Sequence, residues 1–274
     1  MKSKSYGVTQ QTEVSDPISQ ALEELRIMGY TVLKQVITAP ELEECRARLD
    51  AVYQVQEQAL GREALIQIKE LDLARCPLAY DDYFLGLATQ ERVLAHVSRV
   101  LGHYYILHLQ NGIINRPNEA HHQSSWHRDL PYQNFVISKP LAVNALWCID
   151  PYSPATGATQ VLPFSHREEF VPSDHYLDAQ AVSLVADAGD VVLFDSMLFH
   201  RAGYNSSSII RRAINHVYTA PILKQQLDLP RMLGGRHAQD PFLAKFLGYE
   251  SQTAESDVAW RERRLQKQKA QLAH

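Results

Sequence analysis

Trp126-His127-Arg128-Asp129 is the stretch from which the fold can be read. A histidine and a carboxylate one residue apart share a face of an extended strand, because side chains alternate with period two. Both can therefore reach one metal ion. A second histidine closes the set if the fold lays its strand alongside. His200 stands where a strand ends, since the apolar run Val191-Val192-Leu193-Phe194 leads into Asp195-Ser196-Met197-Leu198-Phe199-His200. Two imidazoles and one carboxylate on one face of an octahedral ion leave the opposite face open, a facial arrangement that suits Fe(II). By itself an H-x-D spacing more often marks a solvated strand end, so the weight falls on what surrounds it.

Working outward, the chain from His103 onward reads as strands. His103 to Arg116 is rich in Tyr, Ile and Leu, and Leu141 to Ile149 is an apolar run between Pro140 and Pro151. Ala158 to Leu162, Val182 to Ala186, Val191 to Phe194 and Arg211 to Thr219 follow, each bounded by turn residues. Many short strands of this kind predict an all-β sandwich or barrel. Upstream the period is helical. Ser15-Asp16-Pro17 starts a helix over 17–28 that Gly29 ends, with Ile18, Leu22 and Leu25 on one side. Tyr30 to Leu33 reads as a strand. Thr38-Ala39-Pro40-Glu41 starts a second helix, 50–75 reads as mostly helical, and 88–101 as an amphipathic helix stopped at Gly102. Trp260 to Ala273 is a polar helix whose Arg261, Arg263, Arg264, Lys267 and Lys269 form a solvated face. The expected organisation is one domain over 1–274, with a helix-rich part (1–102), a β core (103–220) and a C-terminal extension (221–274).

Composition narrows the function classes. The 274 residues are 45% hydrophobic and 21% charged, enough for a sizeable core. Lys and Arg number 27 against 31 Asp and Glu, a net charge of −4 that gives no general pull toward nucleic acid or an anionic membrane. No apolar run is long enough to span a bilayer, and the polar start lacks the apolar core of a signal peptide. Cys45, Cys76 and Cys148 are scattered and form no C-x-x-C motif, which suggests reduced thiols and a cytoplasmic location.

Four features join the H-x-D: Gln110 on the preceding strand, the segment Thr156-Gly157-Ala158-Thr159-Gln160-Val161-Leu162-Pro163-Phe164-Ser165-His166, the Asp195-to-His200 segment, and Arg211, which follows a Gly203-Tyr204-Asn205 turn. Together the W-H-x-D, the G-A-T-x-x-L-P-x-S-H and the H-x-A-G-x-N…R-R-A runs resemble, in order, those of the phytanoyl-CoA dioxygenase family of Fe(II)/2-oxoglutarate oxygenases. The opening Gly29-Tyr30-Thr31-Val32-Leu33 is similar to that family's N-terminal strand. The resemblance implies a mainly β fold with flanking helices around a double-stranded β-helix (jelly-roll, cupin-like) core. It implies His127, Asp129 and His200 as iron ligands and Arg211 as the partner of the far carboxylate of 2-oxoglutarate. A planar guanidinium suits that task, because it binds a carboxylate through two parallel hydrogen bonds and stays charged when buried. Thr159 and Gln110 resemble further cosubstrate contacts, and Asn144, on an inward-looking strand, is a weaker candidate. The implied activity is an Fe(II)-, 2-oxoglutarate- and O2-dependent dioxygenase that releases succinate and CO2; hydroxylation is the default outcome, and a small polar metabolite, sugar or natural-product intermediate is the expected substrate.

Other residues take plainer readings. Arg212 faces away from Arg211, and so does His216 by alternation. His121 and His122 belong to a loop over the site, and His166 to a structural turn. Tyr132, Gln133 and Asn134 are candidates for the substrate pocket. Two rival readings stand beside the oxygenase: a cupin-type metalloenzyme that does not use 2-oxoglutarate, and a non-catalytic jelly-roll binding module. A halogenase would lack the carboxylate that Asp129 supplies. Oligomeric state is open at this stage.

Overall fold

A computed structural model describes residues 7, 12–130, 133 and 135–272. In chain order its elements are α1 (Pro17–Met28), β1 (Tyr30–Leu33), α2 (Ala39–Leu60), α3 (Arg62–Gln67), β2 (Leu73–Arg75), α4 (Tyr83–Ala88), α5 (Glu91–Leu101), β3 (Ile106–Asn115), β4 (Ala142–Cys148), β5 (Gln160–Val161), α6 (Asp174–Gln180), β6 (Val182–Ser183), β7 (Val191–Asp195), β8 (His200–Arg201), β9 (Arg211–Thr219), α7 (Leu229–Leu233), α8 (Pro241–Phe246) and α9 (Asp257–Leu272). The first helix shows how local chemistry sets the boundaries. Asp16 caps it by accepting from the Ser19 amide at 2.9 Å, and Pro17 occupies the first turn. Gly29 ends it at φ 88°, in the left-handed region. A Cβ at Gly29 would also meet His166 and Leu198 at 2.6 Å, so both backbone and packing require glycine there.

Six strands form one antiparallel sheet in the order β1-β7-β4-β9-β3-β2, and three form a smaller one in the order β6-β5-β8. The two sheets make the double-stranded β-helix core. The edge strands β1 and β2 of the large sheet come from the helix-rich first third of the chain. One face of the large sheet packs on the helices. There Leu49, Val97, Trp147, Leu193, Ile214 and Tyr218 belong to the largest apolar cluster. The other face looks inward. Leu146, Val192, Phe194 and Ala213 pack there with Val161 and Leu198, whereas Leu109, Ala142 and Val217 form a separate cluster with Leu130 and Met197.

Between those inner clusters runs a polar belt. On β9 it falls at Asn215, between Ala213 and Val217; on β4 it falls at Asn144, between Leu146 and Ala142. Alternation along each strand puts every one of these residues on the same face. A buried polar belt is costly unless each group finds a partner, and the partner here is a single carboxylate.

Candidate metal centre

Asp129 is that carboxylate. Its backbone N–H donates to the Ser196 carbonyl at 3.1 Å, which holds the segment after His127 against the chain leading into β8. His127 and His200 are direct cross-strand neighbours, each amide donating to the other's carbonyl at 3.0 Å. Their rings consequently lie 4.3 Å apart, centroid to centroid. The Nε2 atoms of His127 and His200 are 3.8 and 3.6 Å from Asp129 Oδ1. One ligand atom from each of the three residues lies within 4.8 Å of the others.

The remaining atoms of the three side chains are held from behind. His127 Nδ1–H donates to the Ser125 carbonyl at 2.8 Å and His200 Nδ1–H to the Leu198 carbonyl at 2.9 Å. Each bond fixes the ring and leaves an Nε2 lone pair directed at the shared space. Asp129 Oδ2 accepts from Asn215 Nδ2 at 2.9 Å and also from Asn144 Nδ2. Asn144 donates further to Asn215 Oδ1 at 3.0 Å, and Ser196 Oγ–H donates to Asn144 Oδ1. Burial pushes the His200 imidazole down to a pKa of about 4, so it is neutral near pH 7 and able to bind metal. Burial also penalises the Asp129 carboxylate, but the facing imidazoles and the two amide donors outweigh that and leave it below the usual carboxylate range. Two imidazole nitrogens and one carboxylate oxygen, with their other polar atoms already engaged, fit a divalent ion of the Fe(II) type.

The three residues form one end of a narrow recess, with room of about 20 Å³, and Arg211 forms the other. Arg211 is 1% exposed. Its Nη2 donates to the Gly157 carbonyl at 2.8 Å and its Nη1 to the Tyr152 hydroxyl at 3.1 Å, while Nε has no partner. The guanidinium also stacks 4.8 Å from the Tyr152 ring centroid. Gly157 sits at φ 71°, and a Cβ there would meet the Gly203 carbonyl and Asn115 Nδ2 at 2.7 Å. Glycine thus lets the Thr156-to-Thr159 turn bring a backbone carbonyl to the arginine. Ile113, Leu146, Phe194 and Thr159 complete the walls.

Of the residues singled out from sequence, His127, Asp129, His200, Arg211 and Thr159 come together in this recess. Asn144 stands behind Asp129. Gln110 is a correction. Its side-chain oxygen accepts from the Leu78 amide at 2.7 Å and its amide nitrogen donates to the Phe84 carbonyl at 2.9 Å, on the helix side of the sheet. The reason is strand parity. Ile113 points inward on β3, so Gln110 points outward. Arg212 also faces the helices, paired with Asp50 at 2.8 Å and Asp150 at 3.1 Å. Gln133 is buried, whereas Tyr132 and Asn134 lie outside the described residues. Asn215, Tyr152 and Gln123 were missed. Period-two counting from Arg211 would have found Asn215; Tyr152 makes an isolated β-bridge and Gln123 lies in a single 3-10 turn, and neither carries such a signal. The three cysteines are free and buried, with the Cys45 and Cys76 thiols pushed up by burial to about 12 and 11 and Cys148 higher still, which removes them as nucleophiles.

The phytanoyl-CoA dioxygenase (PhyH) family profile matches residues 25–213. An uncharacterized protein of Mycobacterium tuberculosis, Rv1501, is 38% identical over 233 residues, covering 81% of this chain and 82% of that protein. Dioxygenase af480 of Aspergillus fumigatus is 27% identical over 79% of this chain and 72% of its own. Among solved structures, the epimerase SnoN in complex with Fe3+, alpha ketoglutarate and nogalamycin RO superposes with a TM-score of 0.59 at 20% identity, covering 75% of this chain and 85% of that one.

Proposed function

The chain belongs to the phytanoyl-CoA dioxygenase family and is an Fe(II)- and 2-oxoglutarate-dependent oxygenase; we propose that it hydroxylates a small polar metabolite, sugar or natural-product intermediate. The observation that carries this reading is the convergence of His127, Asp129 and His200 at one end of a recess that ends on the buried Arg211. In it His127 Nε2, His200 Nε2 and Asp129 Oδ1 would hold the iron. When bound, the iron with 2-oxoglutarate and O2 supplies the oxidant, and succinate and CO2 are released. The chain's own work is placement. The Ser125 and Leu198 carbonyls fix both imidazole tautomers, and Asn144 and Asn215 hold the second oxygen of Asp129 by hydrogen bonds. Arg211 receives the far carboxylate of the cosubstrate, with Tyr152 and Thr159 beside it. Ile113, Leu146 and Phe194 exclude water from the space between, which strengthens the charged contacts.

Three free, buried thiols support a cytoplasmic location. No helix among the described residues is long and apolar enough to cross a membrane. The test is anaerobic addition of Fe(II) and 2-oxoglutarate to purified protein, which should produce a weak metal-to-ligand charge-transfer band in the visible. His127→Ala, Asp129→Ala and His200→Ala should each remove the band and lower substrate oxidation by at least about 10³-fold. Full activity without 2-oxoglutarate would instead favour the cupin-type metalloenzyme. Near-normal hydroxylation by Asp129→Ala would remove Asp129 from the ligand set.

A further inference from the structure

The face of the large sheet turned away from the metal recess carries a cavity of its own, with room of about 230 Å³, where β4 and β7 meet α1, α5 and residues 137–140. Its lining changes with depth. Val143, 0% exposed, and its cross-strand neighbour Asp195, 7% exposed, lie at the floor. Leu25 is buried as well, and Leu22 and Val100 are half-buried along the walls. Arg26, Arg99, Lys139 and Arg167 are exposed at the mouth. An apolar pocket with a few placed polar groups is the usual form of a small-molecule site.

Neither charged layer is matched within the fold. Asp195 accepts from the Met197 amide at 2.9 Å, and its other oxygen has no partner among the described residues. Burial lifts its pKa to about 6, so above that pH it is a carboxylate without a counter-ion, with Arg128 and Arg167 acting only from a distance. At the mouth, Arg99 and Lys139 make no ion pair among the described residues, and Arg167 donates to the Arg26 carbonyl at 3.0 Å. Arg26 has one carboxylate near it, Glu23 at 3.8 Å. His166 also lines the cavity, and burial holds its imidazole below the ordinary value, so it adds no charge at neutral pH. A fatty acid held at the mouth would bring its apolar end onto the Asp195 carboxylate, and an alkylamine held at the floor would leave the cations unanswered. An ammonium at the floor gives the buried carboxylate both a counter-ion and hydrogen bonds. We propose that this cavity binds a small zwitterion whose ammonium pairs with Asp195, whose short apolar chain lies along Leu22, Leu25 and Val100, and whose anionic group is held at the mouth by Arg99 and Lys139. The site is separate from the metal recess, on the other face of the sheet, and does not depend on what binds there.

The test is ligand-observed NMR titration of the full chain at pH 7.5 with 4-aminobutanoate, 6-aminohexanoate and 8-aminooctanoate, each beside the fatty acid and the alkylamine of the same length. The ω-amino acid that fits should bind at least about tenfold more tightly than either of its one-ended analogues, the worth of one charged hydrogen bond. Asp195→Asn should bring it to within about twofold of the fatty acid while leaving its advantage over the alkylamine. Arg99→Ala/Lys139→Ala should do the converse, shrinking the advantage over the alkylamine at least about threefold and sparing the preference for the amine. In the wild type the preference for the amine should also shrink on going from pH 7.5 to pH 5.5, where Asp195 takes up its proton. That measurement tests the pairing without any substitution, so a variant that fails to fold does not shield the proposal. No binding of any of the three ω-amino acids overturns it. So does a preference for the amine that survives both Asp195→Asn and the lower pH, or an advantage over the alkylamine unchanged in the double variant.

Discussion

The two sides of the large sheet face the same kinds of residue in opposite states. His200 on the inner side and His216 on the helix side are both buried, and burial pushes their imidazoles down to about 4 and about 3. His216 nonetheless has both nitrogens engaged: the Trp147 indole N–H donates to Nδ1 at 2.9 Å, and Nε2 lies 2.7 Å from the Gln110 amide. His200 bonds through Nδ1 alone and shares an open space with His127 and Asp129. The arginines repeat the contrast. Arg212 has ion pairs to two carboxylates, whereas Arg211 has neutral partners and an Nε with none. Burial and a displaced pKa therefore do not distinguish a working residue from a structural one in this fold. Uncommitted bonding capacity does.

The arginine pair offers the largest effect by which to break that comparison. Arg211→Ala should weaken 2-oxoglutarate binding by roughly 2–4 kcal/mol, because it strands a buried carboxylate. Arg212→Ala should leave that affinity within about 0.5 kcal/mol and instead lower stability by about 1 kcal/mol through the loss of its half-buried bonds to Asp50 and Asp150. Calorimetric titration of Mn(II)-loaded protein with 2-oxoglutarate, beside urea unfolding, reads both. Equal effects on binding would erase the distinction between the faces.

The same contrast explains what could be read from sequence. β9 was legible to the residue, since Arg211 to Thr219 is bounded by turns and its inward set follows from period two. His127, Asp129 and His200 could be singled out by residue type and motif order, and the structure brings them together, although His127 makes an isolated bridge to His200 on β8 and neither it nor Asp129 lies on a strand. Gln110 was not, because all ten residues of β3 are buried and the run shows no polar-apolar alternation to give its facing. Facing on β3 depends instead on the bulge between Leu107 and Leu109, a tertiary feature of its pairing with β9. Tyr152 reaches Arg211 across a long sequence interval through a loop, and no periodicity encodes that.

Asp195 strains the comparison, since it faces the helix side yet is incompletely matched. It accepts from the Met197 amide at 2.9 Å, and no cation among the described residues lies within ion-pair distance. Burial raises its pKa to about 6, against the opposing pull of that amide and of Arg128 and Arg167. Between its ordinary value near 3.8 and about 6, the folded chain keeps a proton that the unfolded chain has released. Stability should thus fall as pH rises through that window and stay lower above it, by on the order of 2 kcal/mol. Asp195→Asn keeps an acceptor for Met197 and should flatten this limb, making the variant more stable than wild type at pH 8 but not at pH 4. Urea unfolding at both values checks it; a parallel pH profile for the two proteins would show that Asp195 does not carry the proton.

The smallest effect sharpens the comparison from the structural side. Trp147→Phe keeps most of an aromatic side chain within the helix-side cluster but removes the indole N–H that donates to His216 Nδ1. A buried ring nitrogen then loses its partner in a region 0% exposed at both residues, where water has little room to replace it. The expected cost is about 1–3 kcal/mol, part from the unmatched nitrogen and part from the smaller ring. His216 lies on the same strand as Arg211 and Asn215 but on the other face, so the sheet separates the damage from the recess. Affinity for 2-oxoglutarate and Mn(II) should therefore match wild type at a temperature where both proteins are folded. A variant with normal stability but weakened cosubstrate binding would mean that the helix-side network positions the metal centre through β9, and the two faces would then have to be treated as one coupled unit.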